Sequence, residues 1–239
     1  MSTSHSDRPR EMTEGNDGVF VVFEGIDGAG TTSQAELYAR YLRQKRRLVH
    51  VTREPSGGPV GSLLRLILTR RVSLPSGSHA ETMALLFAAD RLDHVETEVL
   101  PLLREGYVVL SDRYDLSSIL YQAVTAGAEP TRTDDVVAWI RSLNRNARRP
   151  DVTVVVDVDP DVAEARRRAR GGSAELFEDL DLQARLARAY RNAEEVVPGD
   201  RIVHIDGGAS MDDVHRAIVA ALLPIVEPRE AARSTPPLS

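Results

Sequence analysis

The segment Glu24-Gly25-Ile26-Asp27-Gly28-Ala29-Gly30-Thr31-Thr32-Ser33-Gln34 combines glycines and hydroxyl side chains at a spacing that suits phosphate chemistry. Glycines let successive backbone N–H groups close around an anion, and the free N–H groups of a following helix add favourable potential. The spacing meets the phosphate-loop pattern G-x-x-x-x-G-K-[ST] at every position but one: Thr31 stands where a lysine belongs, while Thr32 keeps the hydroxyl that reaches Mg²⁺. A degenerate match of this kind also describes a glycine turn needed only for close strand-to-helix packing, so the other segments must decide.

Five further places carry chemistry-bearing residues. Arg53 and Glu54 precede a Pro-Ser-Gly-Gly loop, and Ser111-Asp112-Arg113-Tyr114 sets a carboxylate beside a guanidinium; Asp112 suits water-mediated Mg²⁺, and Arg113 suits a bidentate phosphate clamp. Surface ion pairs are the plainer reading of both. Phe87 and Arg91 stand four apart within LLFAADRLDH, so one helical face would present a ring and a guanidinium to a nucleobase. Asp90, Asp93 and His94 beside them read as solvated, and Phe87 alone would read as core. In SSILYQ the polar Ser118, Tyr121 and Gln122 could line a sugar or base pocket, whereas Ser117 serves equally well as a helix cap. Finally, Arg166-Arg167-Arg168-Ala169-Arg170 before Gly171-Gly172 suits a mobile lid over transferring phosphates, or else an exposed helix face with Glu164 and Arg168 paired at i,i+4.

Composition narrows the setting. The 239 residues hold 30 basic and 36 acidic side chains, a net charge of -6 that argues against an overall grip on nucleic acid. Of the basic residues 29 are Arg, so Lys45 is the sole lysine. Zero Cys excludes disulfides, thiolate zinc and cysteine nucleophiles, and the six His lack HExxH spacing. No stretch approaches the roughly 18 apolar residues of a membrane span, and the first residues lack a signal-peptide core, so a cytoplasmic protein is expected. Residues 1–18 and 227–239 read as polar, disordered tails around a core of 19–226.

Those residues need elements to position them. Short β-branched runs at 19–23, 48–52, 107–111, 152–156 and 201–205 predict five strands. Helical spacing is found over 34–44, 81–104, 133–146, 160–170, 174–197 and 211–226. The alternation predicts an α/β fold, a five-stranded parallel sheet with helices on both faces. Ligands in such sheets bind beyond the carboxyl ends of the strands, where the motifs above fall.

Taken together and in order, EGIDGAGTTSQ, TREPSGG, LLFAADRLDH, SDRYDLSSILYQ and PDVTVVVDVDP resemble a bacterial thymidylate kinase over about residues 19–219. The FAADR and DRY segments are the specific part, since they separate this family from other nucleoside monophosphate kinases. The resemblance implies a P-loop kinase fold, transfer of the γ-phosphoryl of ATP to dTMP, Mg²⁺ as cofactor and a homodimer with no nucleic-acid or membrane partner. It implies that Gly25, Ile26, Asp27, Gly28, Ala29, Gly30, Thr31 and Thr32 cradle ATP, with Thr32 and Asp112 at the metal. Arg53 and Arg113 would grip the dTMP phosphate, with Asp27 and Glu24 ordering acceptor and metal. Phe87 would stack on thymine, Arg91 would bond its edge, and Ser118 and Tyr121 would line base and sugar. No Arg stands in the loop, so catalytic Arg would come from a lid at about 166–178, with Arg166 and Arg170 as candidates beside Asp27 and Arg113. Thr31 for lysine, and Ala174-Glu175-Leu176-Phe177-Glu178 in the lid, depart from the family pattern. Both touch the ATP side, which leaves a silent nucleotide-binding homologue, or a kinase for another deoxynucleotide, as alternatives.

Overall fold

The strand β1 (Val19–Glu24) reads Val-Phe-Val-Val-Phe-Glu and is buried along its whole length, as expected of a β-branched and aromatic strand covered on both faces. In this computed structural model, which describes residues 18–74, 79–127, 135–170 and 180–227, β1 is the centre of a parallel sheet. The other strands are β2 (Val49–Arg53), β3 (Val108–Asp112), β4 (Val152–Asp157) and β5 (Ile202–Asp206), in the order β2-β3-β1-β4-β5. The chain runs from β1 out to β2, returns through β3, and then crosses β1 to reach β4 and β5. The two directions diverge at β1, and a crevice opens there at the carboxyl edge.

The fold agrees with the expected α/β sheet, with one systematic difference. Each strand ends one residue later than its apolar run, on Glu24, Arg53, Asp112, Asp157 or Asp206. Those backbones remain in the ladder, where Arg53 registers with Asp112 and Asp157 with Asp206, so the functional side chains stand on the rigid strand ends themselves.

Helices α1 (Thr31–Gln44), α2 (Pro59–Leu68), α3 (His79–His94), α4 (Leu100–Arg104), α5 (Asp115–Thr125), α6 (Asp135–Leu143), α7 (Pro160–Arg170), α8 (Leu180–Tyr190), α9 (Ala193–Val196) and α10 (Met211–Val226) fill the connections. Alternate residues of β1 face opposite ways. Val19, Val21 and Phe23 join the large core with Tyr38 and Leu42 of α1 and Ile218 and Leu222 of α10. Phe20 and Val22 meet Val95, Val99 and Leu103 in a smaller one. The segment expected as one helix over 81–104 is interrupted by a π-helical turn at Val95–Val99, and α2 was absent from the expectation. Expected helical residues 133, 134 and 174–179, lid residues 171–178, and tail residues 1–17 and 228–239 lie outside the described residues. No described helix is long and apolar enough to cross a membrane.

Candidate active site

Residues 25–30 form the turn between β1 and α1, and two glycines make its shape possible. Gly28 adopts φ +94°, and a Cβ there would come within 2.3 Å of the Ala163 carbonyl oxygen of α7. Gly30, the N-cap, adopts φ +96° and offers no capping side chain, so the first-turn N–H groups of α1 are left for an anion. Thr31 begins α1 and is buried, and the Thr32 hydroxyl donates to Asp112 Oδ2 at the end of β3.

Asp112 is the natural partner for a hard cation. Its Oδ2 takes the Thr32 hydroxyl, while its buried Oδ1 has no hydrogen-bond partner among the described residues. One carboxylate and one hydroxyl fit Mg²⁺, which completes its octahedron with water and substrate phosphates rather than with a protein cage. No cluster of three His, Cys, Asp or Glu exists among the described residues, and none is needed for such a site.

Arg113 sits one residue beyond β3 at φ +75°, which turns its side chain back across the phosphate loop. Its Nη2 lies 2.6 Å from Asp27 Oδ1, and its Nη1 donates to the Gly25 carbonyl, to Tyr190 Oη at 3.0 Å and to Ser117 Oγ at 3.2 Å. Burial opposes its charge, but Tyr121, Tyr190, Asp27 and Glu24 outweigh that and hold its pKa well above the usual value. Glu24 is wholly buried below it, accepting from Tyr114 N–H at 2.9 Å, Ser117 N–H at 3.2 Å, the Ser117 hydroxyl and Tyr190 Oη at 3.1 Å. Burial raises the Glu24 pKa in spite of Arg113 and these donors.

A cavity of about 180 Å³ runs from Asp27 and Arg113 to Phe87 and Arg91. Ser118, Tyr121 and Gln122, on one face of α5, line it between these ends, and the buried Ser118 Oγ and Gln122 Oε1 have no hydrogen-bond partner among the described residues. Arg91 is fully buried, with Nη2 2.7 Å from Glu54 Oε2 and 3.1 Å from the Tyr114 carbonyl, and Nη1 donating to Asn144 Oδ1. Its Nε has no partner among the described residues. Phe87 and Arg91 therefore share one cavity, as their i,i+4 spacing predicts.

The structure thus gathers Asp27, Phe87, Arg91, Arg113, Ser118 and Tyr121 around one space. Arg53, expected at the dTMP phosphate, does not line it; it is exposed at the end of β2, and the plainer alternative, an ion pair with Glu54, is also absent because Glu54 turns inward to Arg91. Asp90 and His94, expected as solvated, are buried: Asp90 accepts from Ser56 N–H at 2.8 Å and Oγ at 2.6 Å, and His94 meets Glu54 and Thr52. Ser117 bonds Glu24 instead of capping α5, whose N-cap is Tyr114. On the lid side, Arg166 reaches the Gly207 carbonyl at 2.9 Å and Ala29 at 3.5 Å, Arg167 reaches the Asp27 carbonyl at 2.6 Å, and Arg168 pairs with Glu164 in the open. The Arg170 side chain lies outside the described residues.

Two site residues had no signal in the sequence. Gln183 of α8 accepts from Asp27 N–H and donates to Asp27 Oδ2, both at 3.2 Å, and Tyr190 ties Arg113 to Glu24. Their partners lie more than 70 residues away, so no local spacing could reveal them.

A family model described as thymidylate kinase matches residues 23–218. The chain is 41% identical over 208 residues to the probable thymidylate kinase of Thermococcus gammatolerans, covering 84% of this chain and 94% of that protein. It is 42% identical over 184 residues to its counterpart in Pyrobaculum aerophilum, with 75% and 85% covered. With the thymidylate kinase of Ruegeria pomeroyi it shares 37% over 209 residues, covering 86% and 95%. Relatives at this identity come from archaea and bacteria alike, and with the matched span they establish that the chain belongs to the thymidylate kinase family.

Proposed function

We propose that the protein transfers the γ-phosphoryl of ATP to the phosphate of dTMP, giving dTDP on the way to dTTP. The observation that carries this reading is the cavity with a cationic end at Arg113, beside the phosphate loop, and a base-sized end between Phe87 and Arg91. A nucleotide laid along it would bring its phosphate to the loop and its base to the ring and guanidinium. The acceptor oxygen is already nucleophilic, so the chain's task is alignment and charge neutralisation, with no general base.

In this reading Arg113 clamps the acceptor phosphate, and Asp27, gripped by Gln183, fixes the Arg113 fork. Arg53 would meet the same phosphate once substrate is seated. The base stacks on Phe87, with Arg91 Nε, Ser118 Oγ and Gln122 Oε1 as the groups available to its polar edge, and Tyr121 packs against the sugar. Thr32 and Asp112 would hold Mg²⁺, which would supply charge neutralisation for the ATP phosphates. Arg166 and Arg167, which bond the loop carbonyls, would supply the charge that Thr31 does not. Arg170 belongs to the same proposal. A cytoplasmic homodimer fits the family, and exposed Leu63 and Leu66 on α2 and Leu85 on α3 are apolar surface that a partner copy would cover.

Thr31 favours a second reading, a silent nucleotide-binding homologue. A coupled assay with ATP, Mg²⁺ and a panel of dTMP, dUMP, dCMP, dGMP and thymidine separates the two. Turnover confined largely to dTMP is expected. Measurable dTMP binding with no turnover of any acceptor would select the silent homologue, and preferred turnover of another acceptor would reassign the base pocket.

A further inference from the structure

Phosphoryl transfer as described leaves a chain of ionisable groups unused. Glu54 is all but buried and divides its carboxylate between a guanidinium and an imidazole: Oε2 lies 2.7 Å from Arg91 Nη2, and Oε1 lies 3.3 Å from His94 Nδ1. On its other side, buried His94 places Nε2 2.7 Å from Thr52 Oγ1 and 3.7 Å from Glu98 Oε2. Glu98 in turn sits 2.6 Å from His50 Nε2, and both of these are about one-third exposed, at 37% and 36%. A continuous path therefore runs from the surface beside β2 to the guanidinium that lines the cavity.

We propose that Glu54 and His94 are positioning residues for Arg91, and that the proton on His94 sets how firmly Arg91 holds the base of the acceptor nucleotide. The proposal rests on the acceptor reading above. Arg91 cannot choose its own pose, because Glu54, the Tyr114 carbonyl and Asn144 occupy its terminal nitrogens. The strength of the Glu54 contact then decides how much of the guanidinium's donor capacity is left for a pyrimidine carbonyl. With His94 as imidazolium, the carboxylate's charge is divided between two cations. When His94 loses a proton, the Thr52 hydroxyl can turn to donate to Nε2, which keeps the Nδ1–H in place. Glu54 then has one full cation, its contact with Arg91 tightens, and the base is held less well.

The acidic groups facing His94 are Glu54 from the loop after β2, Glu98 from the π-helical turn, and Asp90 from its own helix. Burial opposes protonation, but these carboxylates outweigh it and raise the His94 pKa above the ordinary histidine value. The transition should therefore fall on the alkaline side of that value.

The test measures dTMP affinity calorimetrically from about pH 6 to pH 9 in wild type and in His94→Asn, which keeps a donor near Nδ1 and carries no charge. Ionisation of the dTMP phosphate is common to both proteins and cancels in the ratio of their dissociation constants. Wild type should lose affinity relative to His94→Asn as pH rises, by roughly five-fold, the worth of about one ordinary hydrogen bond. Parallel profiles overturn the proposal. Glu98→Gln gives an independent arm: removing one carboxylate that faces His94 should move the wild-type transition to lower pH, and an unmoved transition overturns the proposal even where His94→Asn fails to fold. If wild type binds no dTMP at any pH, the acceptor reading itself fails and takes this inference with it.

Discussion

The two halves of the site hold their cations in different ways. On the acceptor half, fully buried Arg91 and half-buried Arg113 are held against carboxylates and carbonyls, and each pose is fixed by at least three partners. On the donor half, Arg166 and Arg167 reach in from α7 to bond backbone carbonyls, which neutralise nothing, and Thr31 brings no charge. The acceptor half is held in place before any nucleotide arrives, whereas the proposed donor half would draw its charge from a neighbouring helix. If that proposal holds, the contrast teaches that a loop without an ammonium can work where guanidinium groups already lie within reach of it.

The most damaging change should fall on the acceptor half. If Arg113 clamps the acceptor phosphate, Arg113→Met should lower kcat/KM for dTMP by about 10³, and it leaves Asp27 without its guanidinium partner. Stability should drop by about 1–2 kcal/mol, because the Arg113–Asp27 pair is partly exposed and screened by solvent. Arg113→Lys should recover part of the stability and little of the rate, because an ammonium lacks the fork that spans Asp27, Gly25 and Tyr190. Steady-state kinetics and urea unfolding would check both, and a Lys variant as active as wild type would mean that Arg113 acts only as a point charge.

Next in size is the donor half. Replacing both Arg166 and Arg167 by Met should lower kcat by about 10² and leave the dTMP dissociation constant nearly unchanged. If these groups stand in for the missing lysine, Thr31→Lys should restore most of the rate in that background and add little to wild type, a coupling that a double-mutant cycle reads directly. Equal gains in both backgrounds would show that Thr31 and the arginines act independently.

The same contrast explains what the sequence could disclose. The placement of the phosphate loop, the DRY segment and the Phe87–Arg91 pair was legible because it depends on spacing within one turn or one helix. The ends of the strands were misjudged by one residue each because Glu24, Arg53, Asp112, Asp157 and Asp206 break the apolar runs while their backbones stay in the ladder. Asp90 and His94 looked like the wet face of α3, and only the return of the chain after β2 brings Ser56 and Glu54 over them. Pro59 and Gly61 concealed α2, although proline is well suited to the first turn of a helix. Gln183 and Tyr190 were illegible because their contacts exist only once α8 has docked on α5, α7 and β4.

A smaller effect tests the burial of Glu24. Its folded pKa lies above the ordinary carboxylate value of 4.5, so in that window the folded state binds more protons than the unfolded one. This contribution to stability is therefore fully present below about pH 4.5 and is lost as pH rises through the raised value. Thermal unfolding followed across that range should show the decline in wild type and a flatter profile in Glu24→Gln. Identical profiles would place the source of the decline elsewhere.

The smallest expected effect is also the sharpest statement about the donor half. Lys45 is the sole lysine and lies at the C-cap of α1, with Nζ 5.7 Å from the centre of the Tyr41 ring. At 1.5 Å per residue it stands about 20 Å along the helix from Thr31, too far to touch a phosphate in the loop. Lys45→Ala should therefore change turnover by less than about two-fold, within the range of ordinary surface substitutions. Acylation of all lysines in the wild-type protein should be equally harmless, although the same reagent would inactivate a kinase that keeps its phosphate-loop lysine. Loss of activity that Lys45→Ala abolishes would show that this lysine reaches the reaction after all, and the borrowed charge would then have to be sought on α1 rather than on α7.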